Sequence, residues 1–281
     1  MQRGVCFQDH CERTVHSATL LNGTTDGAEP LGGLVQATDG SFYGAARFGG
    51  ASYGTLYKIS STGSFIPLYD FEQATGASPA VTILQHTNGI LYGDTECGGM
   101  GMNGDCGGGP AGVFYSWNAG LSPFVTFLPA QSLGKVGAAI GILGQGLTGT
   151  TGVSFGGVSA TFTVSSDTFL TATVPSGALS GPITVTTPGG TLTSNKTFRV
   201  TPVIKKFTPS SGPVGTSVAI TGISLTQTTV VSFGGVVATN FSVNSDTQVT
   251  AIVPTGAMTG KITITTPGGV VKSAASFTVT S

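Results

Sequence analysis

Five residues, Gly152-Val153-Ser154-Phe155-Gly156, satisfy the pattern G-x-S-x-G. In that pattern a strained strand-to-helix turn lifts a serine hydroxyl for nucleophilic attack. The chemistry also needs a histidine to take the proton and an acid to orient it. The three histidines, His10, His16 and His86, all lie well upstream of Ser154. The flanks of Ser154 alternate as a strand does, and no helical period follows. The sister stretch in a later repeat keeps a serine, Ser232, but has Val230 where Gly152 stands. A second match, Gly50-Ala51-Ser52-Tyr53-Gly54, is what chance supplies in a chain with 45 glycines. Ser154 is therefore expected to be a strand residue beside a glycine turn, and no catalytic residue is assigned.

The other reactive types are few. Cys6, His10, Cys11 and His16 place four metal-capable residues within eleven positions. They lack the long spacer between ligand pairs of zinc modules. A zinc site, a Cys6–Cys11 disulfide and a disordered tail stay open as readings, and no metal is assigned. Cys97 and Cys106 bracket a glycine-rich insertion and are read as a disulfide staple in an oxidising compartment. Closing so short a loop contributes about 2–3 kcal/mol in the loop-entropy picture. Asp94, Glu96 and Asp105 lie in and beside that insertion and would suit a loose calcium site, yet the EF-hand pattern is absent. A glycosidase needs two facing carboxylates, and nothing in the sequence places such a pair. No cofactor is expected.

These residues must be carried by strands. Charged residues make up 8% of the 281, against roughly 25% in an ordinary domain. The surface is expected to be Thr, Ser and Gly. Net charge is −1 with no basic run, which argues against nucleic-acid binding. No apolar run reaches the roughly 18 residues of a membrane span. The N-terminus has no hydrophobic signal region. Because the remainder has an extracellular composition, the expectation is a secreted or cell-surface protein whose leader is missing from an N-terminally truncated chain.

Two repeats organise the chain. Val153–Ala160, VSFGGVSA, answers Val231–Ala238, VSFGGVVA, 78 positions on. Val174-Pro175 answers Val253-Pro254, and Thr186-Thr187-Pro188-Gly189-Gly190 answers Thr265-Thr266-Pro267-Gly268-Gly269. Short alternating runs rich in Val, Ile and Thr between Gly, Pro and Asn read as the strands of a small β-sandwich. With the opening Phe207-Thr208-Pro209-Ser210-Ser211-Gly212-Pro213-Val214-Gly215, these units resemble the IPT/TIG family of immunoglobulin-like domains. The first unit opens instead on Gln131-Ser132-Leu133-Gly134-Lys135-Val136-Gly137, without the prolines.

The second repeat lies upstream. Leu34–Gly44 answers Ile83–Gly93 at an offset of 49, and Gly54–Tyr57 answers Gly112–Tyr115 at 58. Asp39-Gly40 and Asn88-Gly89, each between apolar runs, signal hairpins. Units of this size with several strands suggest propeller blades. His86 aligns with Ala37 and is read as a strand histidine near a hairpin rather than part of a binding face. Trp117 aligns with Ile59 and is read as core packing rather than a sugar-stacking platform. The pattern is similar to the GloVer tandem repeat of secreted bacterial proteins, which implies export and no particular activity. Two blades cannot close a ring of typically four to eight, so further blades are expected upstream.

The expectation is an all-β chain, with a partial β-propeller-like region followed by two tandem Ig-like (IPT/TIG) β-sandwiches. Residues 1–14 would be a tail, 15–130 two repeats (about 23–71 and 72–130), and 131–201 and 202–281 the sandwiches. The function expected is non-enzymatic binding or adhesion to an extracellular glycan or surface protein, with the sandwiches as spacers. Alternatives are a structural protein that self-associates through blade edges, and a polysaccharide hydrolase with accessory sandwiches.

Overall fold

A computed structural model describes Leu21, residues 23–99 and residues 112–281. Cys6, His10, Cys11, His16, Asp105 and Cys106 lie outside the described residues. The chain divides into two compact units, Met1–Ser122 and Pro123–Ser281.

The first unit holds two antiparallel meanders. The first blade consists of β1 (Val35–Gln36), β2 (Phe42–Ala46), β3 (Thr55–Ile59) and β4 (Phe65–Asp70), in that spatial order. The second consists of β5 (Leu84–Gln85), β6 (Leu91–Asp94) and β7 (Phe114–Trp117). The expected hairpins form by one mechanism. Ser41 N–H donates to the Asp39 carboxylate at 3.0 Å, and Ile90 N–H donates to the Asn88 side-chain oxygen at 2.9 Å. Gly40 and Gly89 then take positive φ angles of 79° and 85°, which glycine adopts at no steric cost.

Alternation decides which face is buried. Ala45 lies opposite Leu56, and Leu56 opposite Tyr69, so Tyr43, Ala45, Leu56 and Tyr69 share one face of the first blade. Leu91 lies opposite Trp117 and Gly93 opposite Tyr115, so Leu91, Tyr115 and Trp117 share a face of the second. These two faces meet in a single core with Phe71 and Ile83. The rim is fastened by polar links between blades. Thr38 and Gln85 exchange two hydrogen bonds, and Arg47 pairs with Glu96 at 3.0 Å.

The second unit holds two sandwiches. The first packs a sheet ordered Phe162–Ser166, Phe169–Thr173, Ala139–Leu143, Thr126–Phe127 on a sheet ordered Val158–Ser159, Gly152–Phe155, Ile183–Thr187, Gly190–Thr193. The second repeats this plan, with Val203–Thr208 leading one sheet. Each core is sealed by the same aromatic group. Phe155 meets Phe198 edge-on at 5.1 Å, and Phe233 meets Phe277 edge-on at 5.3 Å. The Thr-Thr-Pro-Gly-Gly turns are also built alike. Gly189 N–H donates to the Thr187 hydroxyl, and Gly268 N–H to that of Thr266.

One boundary differs from expectation. The first sandwich begins before Gln131, because Val125 and Phe127 belong to its core and Phe127 pairs with Ile142. Phe127 stacks edge-on with Phe198, as Phe207 approaches Phe277 in the sister domain. Its leading strand is thus the segment after Ser122, assigned above to the second blade. That blade has three strands among the described residues, and β7 pairs only with β6.

Candidate functional site

Where the two blade faces meet, packing is incomplete. A cleft of about 260 Å³ is lined by Leu56, Tyr69, Phe71 and Thr75 from the first blade side and by Tyr115, Ser116 and Trp117 from β7. Strand pairing fixes each wall. Tyr69 stands on β4 directly across from Leu56, and Tyr115 and Trp117 are two apart on β7. The rings are in contact. Tyr69 and Trp117 centroids lie 5.6 Å apart at 45°, Tyr69 meets Phe71 edge-on at 5.2 Å, and Phe71 meets Tyr115 at 5.0 Å.

Polar groups are few and placed at the wall. The Tyr69 hydroxyl donates to the Thr75 hydroxyl at 2.9 Å, which the turn after Phe71 holds in place through Glu72. The Tyr115 ring lines the cleft, but its hydroxyl reaches across to Gly93 on β6 and is buried there without a hydrogen-bond partner. Burial, with the Asp94 carboxylate adding to it, pushes Tyr115 up to about 12. A neutral phenol in that position is a donor and acceptor with nothing to bond. Leaving such a group unpaired costs about 1–3 kcal/mol. An aromatic-walled cleft with a few hydroxyls is suited to a flat, amphipathic ligand with apolar faces and a polar rim.

The residues singled out from sequence fall in different places. Ser154 Oγ lies 2.7 Å from the Thr184 hydroxyl, directly across an antiparallel strand pair. The glycines after it, Gly156 and Gly157, form a two-residue hairpin loop with positive φ at both positions, repeated at Gly234 and Gly235. Ser52 lies in a turn with a φ of 86°. His86 accepts from Asn88 N–H at 3.3 Å and stacks edge-on with Tyr92. Glu96 is taken up by Arg47. Among the described residues no three His, Cys, Asp or Glu side chains come together as a metal site. Cys97 is buried, its backbone paired with Ala77.

Trp117 packs on the blade core and also walls the cleft. Tyr69 and Thr75 were not anticipated. Both blades carry Tyr at the position two before Trp117 or Ile59, but only spatial stacking brings Tyr69 over Trp117.

Residues 202–279 match the model of the IPT/TIG domain. That match is the second sandwich, and the first repeats its strand order and its aromatic seal. No curated protein matches the chain. Among solved structures, the surface glycan-binding protein PbSGBP-B from Prevotella bryantii is 16% identical, with a TM-score of 0.40 over 55% of this chain and 41% of that one. SGBP-B from a xyloglucan utilization locus of Bacteroides uniformis is 19% identical, with a TM-score of 0.27 over 55% and 48%. SGBP-B from a mixed-linkage glucan utilization locus of Bacteroides ovatus is 20% identical, with a TM-score of 0.24 over 55% and 45%. The chain spans less than half the length of each. No helix among the described residues is long and apolar enough to cross a membrane.

Proposed function

We propose that the chain is an extracellular, non-enzymatic glycan-binding protein, and that the cleft between its blades holds a sugar. The observation that carries this reading is the aromatic wall made by Tyr69 and Trp117, with the Thr75 hydroxyl bonded to Tyr69 at its edge. A pyranose ring offers aliphatic C–H faces to stack on such rings and rim hydroxyls to bond to the Tyr69 and Thr75 hydroxyls. The volume is just below the roughly 300–1,000 Å³ of ordinary small-molecule pockets, which suits one sugar ring of a longer chain lying across the mouth.

The other features fit the same reading. The sandwiches present strand-borne threonines and serines and act as a spacer. The two are fastened to each other by Gln227, whose amide accepts from Ser180 N–H at 2.7 Å and donates to its carbonyl at 3.1 Å. A Cys97–Cys106 disulfide would staple the insertion beside β6 in an oxidising compartment.

The test is retention of the full chain on a panel of soluble and insoluble polysaccharides, with Trp117→Ala beside it. The native chain is expected to bind at least one glycan. Removing Trp117 is expected to weaken that binding about tenfold, the effect of losing about 1.4 kcal/mol of stacking. No binding to any glycan, or binding indifferent to Trp117→Ala, would reject the cleft.

A further inference from the structure

The first blade buries one face against the second, and the repeat shows what should lie on the corresponding face of the second. Val35, Tyr43 and Leu56 of the first blade correspond to Leu84, Tyr92 and Phe114 of the second. Strand pairing puts these on equivalent faces. Val35 lies opposite Tyr43 as Leu84 lies opposite Tyr92, and Leu56 and Phe114 stand opposite the equivalent positions Ala45 and Asp94.

Their environments are opposite. Tyr43 and Leu56 are each 1% exposed under the second blade, whereas Tyr92 is 39%, Leu84 62% and Phe114 89% exposed. Three large apolar side chains on one sheet face form an apolar patch that marks an interaction surface. Among the described residues, the far edge of β7, the strand that carries Phe114, pairs with no other strand.

The chain itself shows what covers such a face. On the first blade the cover is Leu91, Tyr115 and Trp117. Their counterparts are Phe42, Tyr57 and Ile59, on the face of the first blade turned away from the second. There Tyr57 lies under Phe65, with ring centroids 5.1 Å apart, so Phe42, Ile59 and Phe65 form the half-buried outer layer. The two faces stand at opposite ends of the two-blade stack and do not meet within one chain.

We propose that the Leu84–Tyr92–Phe114 face docks on the Phe42–Ile59–Phe65 face of a second copy of this chain, continuing the blade-on-blade interface seen inside the unit. Such a contact is head-to-tail and closes only as a ring. The two described blades from each of two to four copies would supply the four to eight blades of ordinary propellers. The inference does not rest on the sugar-binding reading, because the cleft lies at the other interface.

The test is the mass of the full chain by light scattering across a wide concentration range, with Phe114→Lys and Leu84→Lys beside it. Mass is expected to rise above that of one chain with concentration. Either substitution should weaken association about tenfold or more, as loss of a central aromatic or apolar anchor does. Both positions are exposed in the single chain, so melting temperature should hold. A second arm mixes Phe114→Cys with Ile59→Cys chains under oxidation, and a crosslink requiring both preparations is expected. A single-chain mass at every concentration overturns the proposal. So does association unchanged by both lysines, or crosslinking confined to the Phe114→Cys preparation alone.

Discussion

The sandwiches and the blades are both internal repeats, yet only the sandwiches reproduce their burial. Val153, Phe155, Leu170, Ile183 and Phe198 of the first sandwich and Val231, Phe233, Val249, Ile262 and Phe277 of the second are buried alike. Each sandwich closes two sheets on each other and completes its own core. A blade is one layer, so the burial of its face depends on its neighbour, as in any stacked repeat. Tyr43 and Tyr92 share sequence context, strand position and face, and one is covered while the other is not. Equivalent residues in a single-layer repeat therefore carry core roles or surface roles according to what lies next to them.

That contrast breaks most sharply in the sandwich core. Phe233→Ala should destabilise the second unit by about 3–5 kcal/mol, and Phe155→Ala should do the same, both read by denaturant unfolding. In the blades the paired substitutions should part company. Leu56→Ala is expected to cost about 2–5 kcal/mol, while its counterpart Phe114→Ala should stay within about 0.5 kcal/mol under single-chain conditions. Equal costs at the two positions would mean that the faces are equally covered.

The smallest effect concerns pH. Burial of Tyr115, helped by Asp94, raises it from an ordinary 10.0 to about 12. The folded chain then holds a proton that the unfolded chain releases. The resulting stability is whole below pH 10 and is lost as pH rises through about 12. Unfolding curves of the native chain should lose stability across that window, and those of Tyr115→Phe should lose less.

Much of the fold was legible because local signals and long repeats agreed. Asp39-Gly40 and Asn88-Gly89 specified hairpins, and the paired Phe-Gly-Gly stretches specified a strand followed by a turn. The start of the first sandwich was not legible. Phe127-Leu128-Pro129 answers Phe207-Thr208-Pro209, but at 80 positions rather than the repeat's 78, so the start lies out of register with the rest of the unit. The cleft was half legible. The alternation Tyr115-x-Trp117 names a face, but its partner Tyr69 comes from a strand 48 positions upstream, and no sequence period links the two. The exposed Phe114 was not legible at all, since its pattern is that of the buried Leu56.

Trp117 is the chain's single tryptophan, and it stands in the cleft. Its fluorescence therefore reports cleft occupancy without any label. The most direct measurement is a titration of the native chain with oligosaccharides drawn from the glycans that retain it. A saturable change in Trp117 emission, lost when Tyr69 is replaced by alanine, is the result expected of a sugar seated between the blades. Retention of a glycan with no change in Trp117 emission at saturation would place the sugar elsewhere and contradict the assignment of the cleft.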